Sequence, residues 1–483
     1  MMDMGVLLLV VFVCAGFVLP GSHLGDPDLW WHLANARATV AAHHPAYADA
    51  YSFTVAGQPW VDPEWLSEIF YWLGFSWLGL PGISLVTLTT LGANVIFLYW
   101  RSTLQSRHAG VALWTGIVGI LLMTVNSGPR MILFGYLALN AELSILERAG
   151  RGNRTWIWLL LPLFCIWVNL HGSWFIGFAV LVLYVVCNSI SLRKGAVEQH
   201  GWTRGERLRW IWVSAGCAVA VFINPYGWRL VWNPFDMAFN QSLNIASVQE
   251  WQPLSPTSPV GLVLLISIVV LVVANLMRPR KWALFELGLL SVAWIAAFTH
   301  QRFTFLAAVL TIPILTFDAA RAFFPPSNPR TVPAMNALLG IGAVCVVAFY
   351  LPSRGAMELA LHEKFPMRLI ASIQPGWRTI HPELLGGMMA LEGKPNFVDT
   401  RWDIFEHHGV MRDFISIMGV RNSLELLDRY GIDHAVLNQD QPLAYLLLRT
   451  PGWVISDREL AGETHYILLV RSEPGAAVQA TGH

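Results

Sequence analysis

Charge is what this chain has least of. Only 13% of its 483 residues are Asp, Glu, Lys or Arg, and 31 basic side chains are balanced by 31 acidic ones. A chain without net charge has no electrostatic footprint for nucleic acid. Cysteine is sparse as well. Cys14, Cys165, Cys187, Cys217 and Cys345 all fall in apolar runs, which argues against a disulfide framework or a zinc cluster and suits small apolar packing residues. No Walker loop, H-E-x-x-H or G-x-S-x-G occurs, so an ATPase, a zinc protease and a serine hydrolase all lack their motifs. The first apolar run, residues 4–20, has neither a basic leader nor a small-x-small cleavage site. It reads as a retained span rather than a signal peptide.

What is abundant is apolar surface. Hydrophobic residues make up 55% of the chain, mean hydropathy is +0.50, and there are 23 tryptophans, a residue enriched at membrane interfaces. Runs near 4–20, 81–100, 109–126, 131–147, 155–170, 174–191, 208–224, 258–277, 282–299, 303–320 and 334–352 are long enough to predict about 11 transmembrane helices. After Ser353 ordinary charge density returns with alternating strand and helix patterns. The fold expected is therefore an α-helical polytopic membrane protein with a C-terminal soluble α/β domain: residues 1–352 as the transmembrane domain, with a large first outer loop at 22–79, and residues 353–483 as the second domain. In that tail, 395–400, 434–438, 453–457 and 465–470 read as strands, and 422–431 and 442–450 as helices.

Lysine and arginine in the connecting loops set the orientation. Starting from a cytoplasmic N-terminus, the even-numbered loops carry fifteen basic residues and the odd-numbered loops only Arg37, Arg130, Arg229 and Arg302. The odd loops and the tail then face outward, as in a multi-pass protein of the bacterial cytoplasmic (inner) membrane with an extracytoplasmic C-terminal domain. This places Asp26, Asp28, His32, Glu64, Arg130, His171, Tyr226, Glu250, His300 and Arg302 on one face. Ionisable groups at membrane depth are costly and point by default to function; interface anchoring and turn capping are the structural alternative, with "NPYG" (224–227) a turn and Glu250-Trp251 an interface anchor.

The segment 25–37, "GDPDLWWHLANAR", reads as a short helix returning to the membrane, with Asp28 and His32 at i and i+4 on one face. An extended stretch with a glycine turn follows at 51–62, then an amphipathic helix at 63–79 lying in the interface.

With "DPDLWWHL" (26–33), "GQPWVDPEWL" (57–66), "GPR" (128–130), "WVNLHG" (167–172), "NPYG", "EWQP" (250–253) and "DTRWD" (399–403), the chain resembles polytopic glycosyltransferases of the C fold type. That superfamily includes protein O-mannosyltransferases and the aminoarabinose transferases of lipid A. Within it the chain is most similar to a bacterial group carrying the W-W-H-L motif. The resemblance implies transfer of a sugar from a polyprenyl-phosphate donor to an acceptor, with inversion, at the outer membrane face. Asp28 would be the general base, with Asp26 and His32 beside it. Arg130, His171, Tyr226, Glu64, His300 and Arg302 would bind substrate, arginine being suited to a phosphate. Leu29 stands where the superfamily has the Glu of a "DE" pair. No metal ligands or certain cofactor are assigned, although a divalent metal has a place in such chemistry. The partners are the lipid-linked sugar and membrane lipids; the acceptor is open.

Two other functions fit the same residues: a non-catalytic membrane subunit that keeps the fold, and a transporter or flippase of the lipid-linked sugar. The acids of "DTRWD" read as capping and salt-bridging groups, with contact to an acceptor as the alternative.

Overall fold

The computed structural model describes residues 22–152, 154–325, 345 and 353–472. Two of the expected spans, 4–20 and 334–352, lie outside them. The chain divides into two compact units. Among the described residues, one comprises 63–152, 154–236 and 245–325 together with residue 345; the other comprises 22–62, 237–244 and 353–472. The long first loop is thus split between Asp62 and Pro63. Its first two thirds, assigned to the transmembrane domain from sequence, fold with the tail.

In the helical unit, helices occupy each expected span among the described residues: Leu80–Ser106, Ala109–Met123, Ile132–Gly150, Leu160–Leu170, Trp174–Ser189, Arg204–Ala220, Pro259–Met277, Leu284–Thr299 and Thr304–Phe323. Their starts carry the usual signals. Ser258 accepts the Gly261 N–H ahead of Pro259, and Thr203 and Glu206 form a capping box. Among the described residues three helices, Leu80–Ser106, Pro259–Met277 and Gln301–Phe323, are long and apolar enough to cross a membrane.

Thr304–Phe323 is the central helix. It is buried almost all round and packs on Leu80–Ser106, Ala109–Met123, Pro259–Met277 and Leu284–Thr299, as an apolar helix without a polar face must. It contains Pro313, which has no N–H to give to the carbonyl of Val309. Arg101 supplies the missing donor: its Nη1 bonds Val309 O at 3.0 Å and Asn140 Oδ1 at 3.0 Å, while Nε and Nη2 bond Glu147 Oε1 at 3.0 and 2.8 Å. A charge that would otherwise be prohibitive in the interior is neutralised, and a backbone group freed by proline is satisfied.

The helix expected at 63–79 forms as Trp65–Leu78. Phe70, Leu73, Trp77 and Leu78 are exposed, while Ser67, Glu68 and Tyr71 are buried. This reverses the pattern of a helix facing water and suits one whose outer face meets lipid. It crosses the start of Leu80–Ser106 so closely that a Cβ at Gly82 would lie 1.9 Å from Gly74 O, so only glycine fits there.

The second unit holds a four-stranded sheet in the order Thr379–Ile380, His434–Asn438, Thr464–Arg471, Trp453–Ala461. The first pair is parallel and the others antiparallel. Helices Ser423–Arg429 and Pro442–Leu447 stand where the pattern put them. The strand expected at 395–400 does not form. Phe397 and Val398 are both fully buried, so there is no alternation of faces. The Phe397 N–H goes to His381 Nε2 at 3.0 Å, and its carbonyl accepts from Thr54 Oγ1 at 2.6 Å. Side chains thus take the backbone groups that a ladder would have used. Helix Asp28–Ala42 packs against Glu383–Leu391 in the same unit, with Gly387 meeting the backbone of Pro27 and Trp31.

Candidate functional site

In the helical unit the connections between helices gather polar residues from distant positions. His171 Nδ1 accepts the Ser173 N–H at 2.8 Å, so the ring proton sits on Nε2 and is donated to Glu64 Oε1 at 2.9 Å. The imidazole holds the Glu64 carboxylate and has both nitrogens engaged. Around it the 167–173 stretch acts as a bracket. Trp65 Nε1 donates to Asn169 Oδ1 at 3.1 Å, Asn169 Nδ2 donates to Ile223 O at 2.9 Å, and Ser67 Oγ donates to Leu170 O at 2.6 Å. Beyond Ile223 the "NPYG" segment is a turn: Asn224 Oδ1 accepts the Tyr226 N–H at 2.9 Å, and Gly227 takes φ +58°. Tyr226 is buried beside it.

Arg130, just ahead of helix Ile132–Gly150, forms an ion pair with Glu250; both are half-buried. The next residue, Trp251, lies under the Arg302 guanidinium at 4.0 Å, and its carbonyl takes a hydrogen bond from His300 Nδ1 at 2.6 Å. Tyr136 stacks on Phe305, 4.0 Å between ring centres, and reaches Arg302 O at 3.4 Å. Glu250, Arg130 and Glu64 all lie within electrostatic reach of Arg302. One polar cluster therefore contains Glu64, His171, Arg130, His300 and Arg302. It adds Glu250, Trp251, Tyr136 and Asn169, which the sequence reading left out of the site. A lone Glu beside a Trp, on a face where basic residues are rare, was the available signal for Glu250.

Asp26, Asp28 and His32 belong to the other unit. Asp26 Oδ1 accepts the Asp28 N–H at 3.1 Å, opening helix Asp28–Ala42 with Asp28 half-buried in its first turn. His32 is buried, and its ring lies 3.6 Å from that of Trp31. Trp31 Nε1 donates to Thr400 Oγ1 at 3.1 Å, beside the "DTRWD" motif.

That motif is a buried salt-bridge core. Arg401 Nε and Nη2 bond Asp399 at 2.8 and 2.7 Å, and Nη2 also bonds Asp49 Oδ1 at 2.6 Å. Its Nη1 has no hydrogen-bond partner among the described residues; the Tyr51 and Trp60 rings lie 4.9 and 4.8 Å from the guanidinium carbon. The attraction of Asp399 and Asp49 outweighs burial and holds the guanidinium above its ordinary pKa. Among the described residues no group of three or more His, Cys, Asp or Glu is arranged to hold a metal ion.

Two buried groups in this unit titrate in opposite senses. Burial pushes the His381 pKa down from 6.5 to about 4, against the bond from its Nδ1–H to Pro382 O at 2.9 Å and the attraction of Asp399, while its Nε2 accepts the Phe397 N–H. Burial pushes the Asp403 carboxyl up from 3.8 to about 6, against the pull of Arg401 and a bond from Trp60 Nε1. For His381 the unfolded chain binds the extra proton, so stability is lost as pH falls from 6.5 toward 4. For Asp403 the folded chain binds it, so stability is lost as pH rises from 3.8 toward 6. The two nearly cancel over the shared window. Asp403→Asn is expected to expose the histidine term, about 3 kcal/mol between pH 6.5 and 4, as a thermal midpoint that falls with acidification more steeply than in the wild type. Parallel profiles for the two proteins would refute it.

Comparison of the chain with solved structures shows a likeness of fold. Its neighbours include ArnT from Cupriavidus metallidurans in the apo state, at TM-score 0.54 and 14% identity, covering 96% of this chain and 98% of that one. The same protein bound to undecaprenyl phosphate matches at TM-score 0.52 and 13% identity, over 98% and 99% of the two chains. The oligosaccharyltransferase of Archaeoglobus fulgidus, tethered to an acceptor peptide, matches at TM-score 0.51 and 10% identity, over 90% of this chain and 69% of that one. No family model and no curated protein matches the sequence.

Proposed function

We propose that this chain is a membrane glycosyltransferase that moves a sugar, with inversion, from a polyprenyl-phosphate donor to an acceptor at the outer face of the bacterial cytoplasmic membrane. The observation that carries the reading is the likeness, over nearly the full length of both chains, to a protein whose structure holds undecaprenyl phosphate. It is supported by the cluster of Arg130 and Arg302 with Glu64 and Glu250. Arg302, held over Trp251, presents fixed positive charge for a lipid phosphate leaving group. Arg130 would exchange Glu250 for the same phosphate. His171 acts through Glu64, and Tyr226 and His300 complete the substrate-binding set. Asp28 takes the acceptor proton as general base, with Asp26 and His32 setting its position. Residues 353–483 would be extracytoplasmic and the helical part would cross the membrane about 11 times.

Leu29, in place of the superfamily's Glu, favours one second reading, a non-catalytic subunit that keeps the fold. Transfer assays with the purified chain and a defined polyprenyl-phosphate sugar separate the two. Turnover establishes the enzyme, and tight lipid binding without turnover across donors and acceptors favours the subunit.

Orientation has its own test. With all native cysteines replaced, a single cysteine at Ser456 is expected to react with an impermeant thiol reagent in intact cells and one at Ser106 is not. Labelling at Ser106 would reverse the topology.

A further inference from the structure

At one end of the helical unit, the ends of helices Ile132–Gly150 and Trp174–Ser189 and the start of Arg204–Ala220 line a cavity of about 160 Å³. It is lined by Gly150 and Gly152, by Tyr184 and Asn188, and by Trp202, Glu206, Arg209 and Trp210. Its walls are built for rigidity. Trp202 and Trp210 stack in parallel at 5.3 Å, and Tyr184 meets both edge-on at 5.5 and 5.0 Å. The Trp202 N–H is fixed to Asn188 O at 2.8 Å. Glu206 is held by its capping box, Thr203 N–H and Oγ1 both donating to Oε2 at 3.0 and 2.9 Å. Arg209 differs from these. It is exposed, lines the cavity, and has no hydrogen bond or ion pair among the described residues.

Three observations limit the occupant. The volume is below the roughly 300–1,000 Å³ of pockets for cofactors and drug-sized ligands, so a small polar group fits and a nucleotide does not. The lining offers one unengaged cation, one carboxylate and electron-rich ring faces, which suits a ligand carrying an anion and a cation close together. Finally, Trp156, Trp158 and Trp212 are exposed around the same end, and Arg148 is stacked on Trp100 and Trp156 at 4.8 and 4.2 Å. Exposed tryptophan beside arginine marks the depth of lipid headgroups.

We propose that this cavity binds the headgroup of a phosphatidylethanolamine molecule from the surrounding leaflet. Arg209 holds the phosphodiester, and the ammonium lies against Trp202 on the Glu206 side. The site is separate from the Arg130–Arg302 cluster and is independent of the reaction proposed there.

The test is native mass spectrometry of the full-length protein released from bilayers of equimolar phosphatidylethanolamine and phosphatidylglycerol. Wild-type protein is expected to retain one phosphatidylethanolamine in preference. Arg209→Gln should weaken that retention about tenfold, the loss of one charge-assisted bond, with an unchanged thermal midpoint because the side chain has no partner among the described residues. Arg207→Gln removes a nearby charge that does not line the cavity and should leave retention as it is. Equal retention of phosphatidylglycerol would overturn the ammonium half of the site. An equal loss in Arg207→Gln, or full retention in Arg209→Gln, would overturn the site itself. Displacement by excess soluble phosphoethanolamine would assign the cavity to a water-borne ligand instead of a lipid.

Discussion

Asp28→Asn protein is expected to lose sugar transfer by about a hundred- to ten-thousand-fold, the usual cost of removing a positioned base, while folding and binding polyprenyl phosphate nearly as the wild type does. The substitution keeps the shape of the side chain and removes only its basicity. The local frame should survive it. Asp28 is half-buried in the first turn of helix Asp28–Ala42, with its own N–H held by Asp26 Oδ1. The next residues, Leu29, Trp30 and Trp31, are buried and fix the helix from its other side. Asp26→Asn should cost less, since its visible role is to hold the Asp28 backbone. The measurement is transfer from a defined polyprenyl-phosphate sugar by both purified variants, with and without chelator. Full activity in Asp28→Asn would remove this residue from the mechanism.

Arg401→Met should have the largest effect on stability, about 3–5 kcal/mol, because it strands charge in the interior. Arg401, Asp49 and Asp399 are all essentially inaccessible to solvent, and the two carboxylates share one guanidinium. Without it they must protonate or repel each other in a dry site. The loss should therefore shrink as pH falls, since neutral carboxyls no longer need the cation. Arg401→Lys should rescue only part of it, as an ammonium cannot reproduce the fork to Asp399. Thermal unfolding of the full chain at neutral and acid pH decides this. A shift worth under about 1 kcal/mol at neutral pH would show that the cluster contributes little to stability.

These two predictions rest on different parts of what could be read in advance. The helices follow from hydrophobic runs, because a segment buried on all sides or facing lipid must be apolar along its length; that is local information, and Leu80–Ser106 and Pro259–Met277 lie within a few residues of their expected positions. Strands His434–Asn438 and Thr464–Arg471 were legible for the same reason. The segment 395–400 was not, since whether Phe397 joins a ladder depends on His381 and Thr54 reaching its backbone. Glu250 could be seen as a scarce charge on the outward face, but its pairing with Arg130 could not, the two being 120 positions apart.

By itself the sequence determined the helical membrane class, the positions of the helices and which scarce ionisable residues stand at their ends, because those depend on composition and period within a few turns of chain. Only the tertiary structure decided that the first loop divides at Asp62, that Asp49 is the distant partner of Arg401 in the salt-bridged "DTRWD" motif, and that Arg101 repairs the gap left by Pro313. Each of these is a choice of partner across long separations. Burial leaves a charge or a freed carbonyl needing some partner, but which group supplies it is settled only when the elements pack.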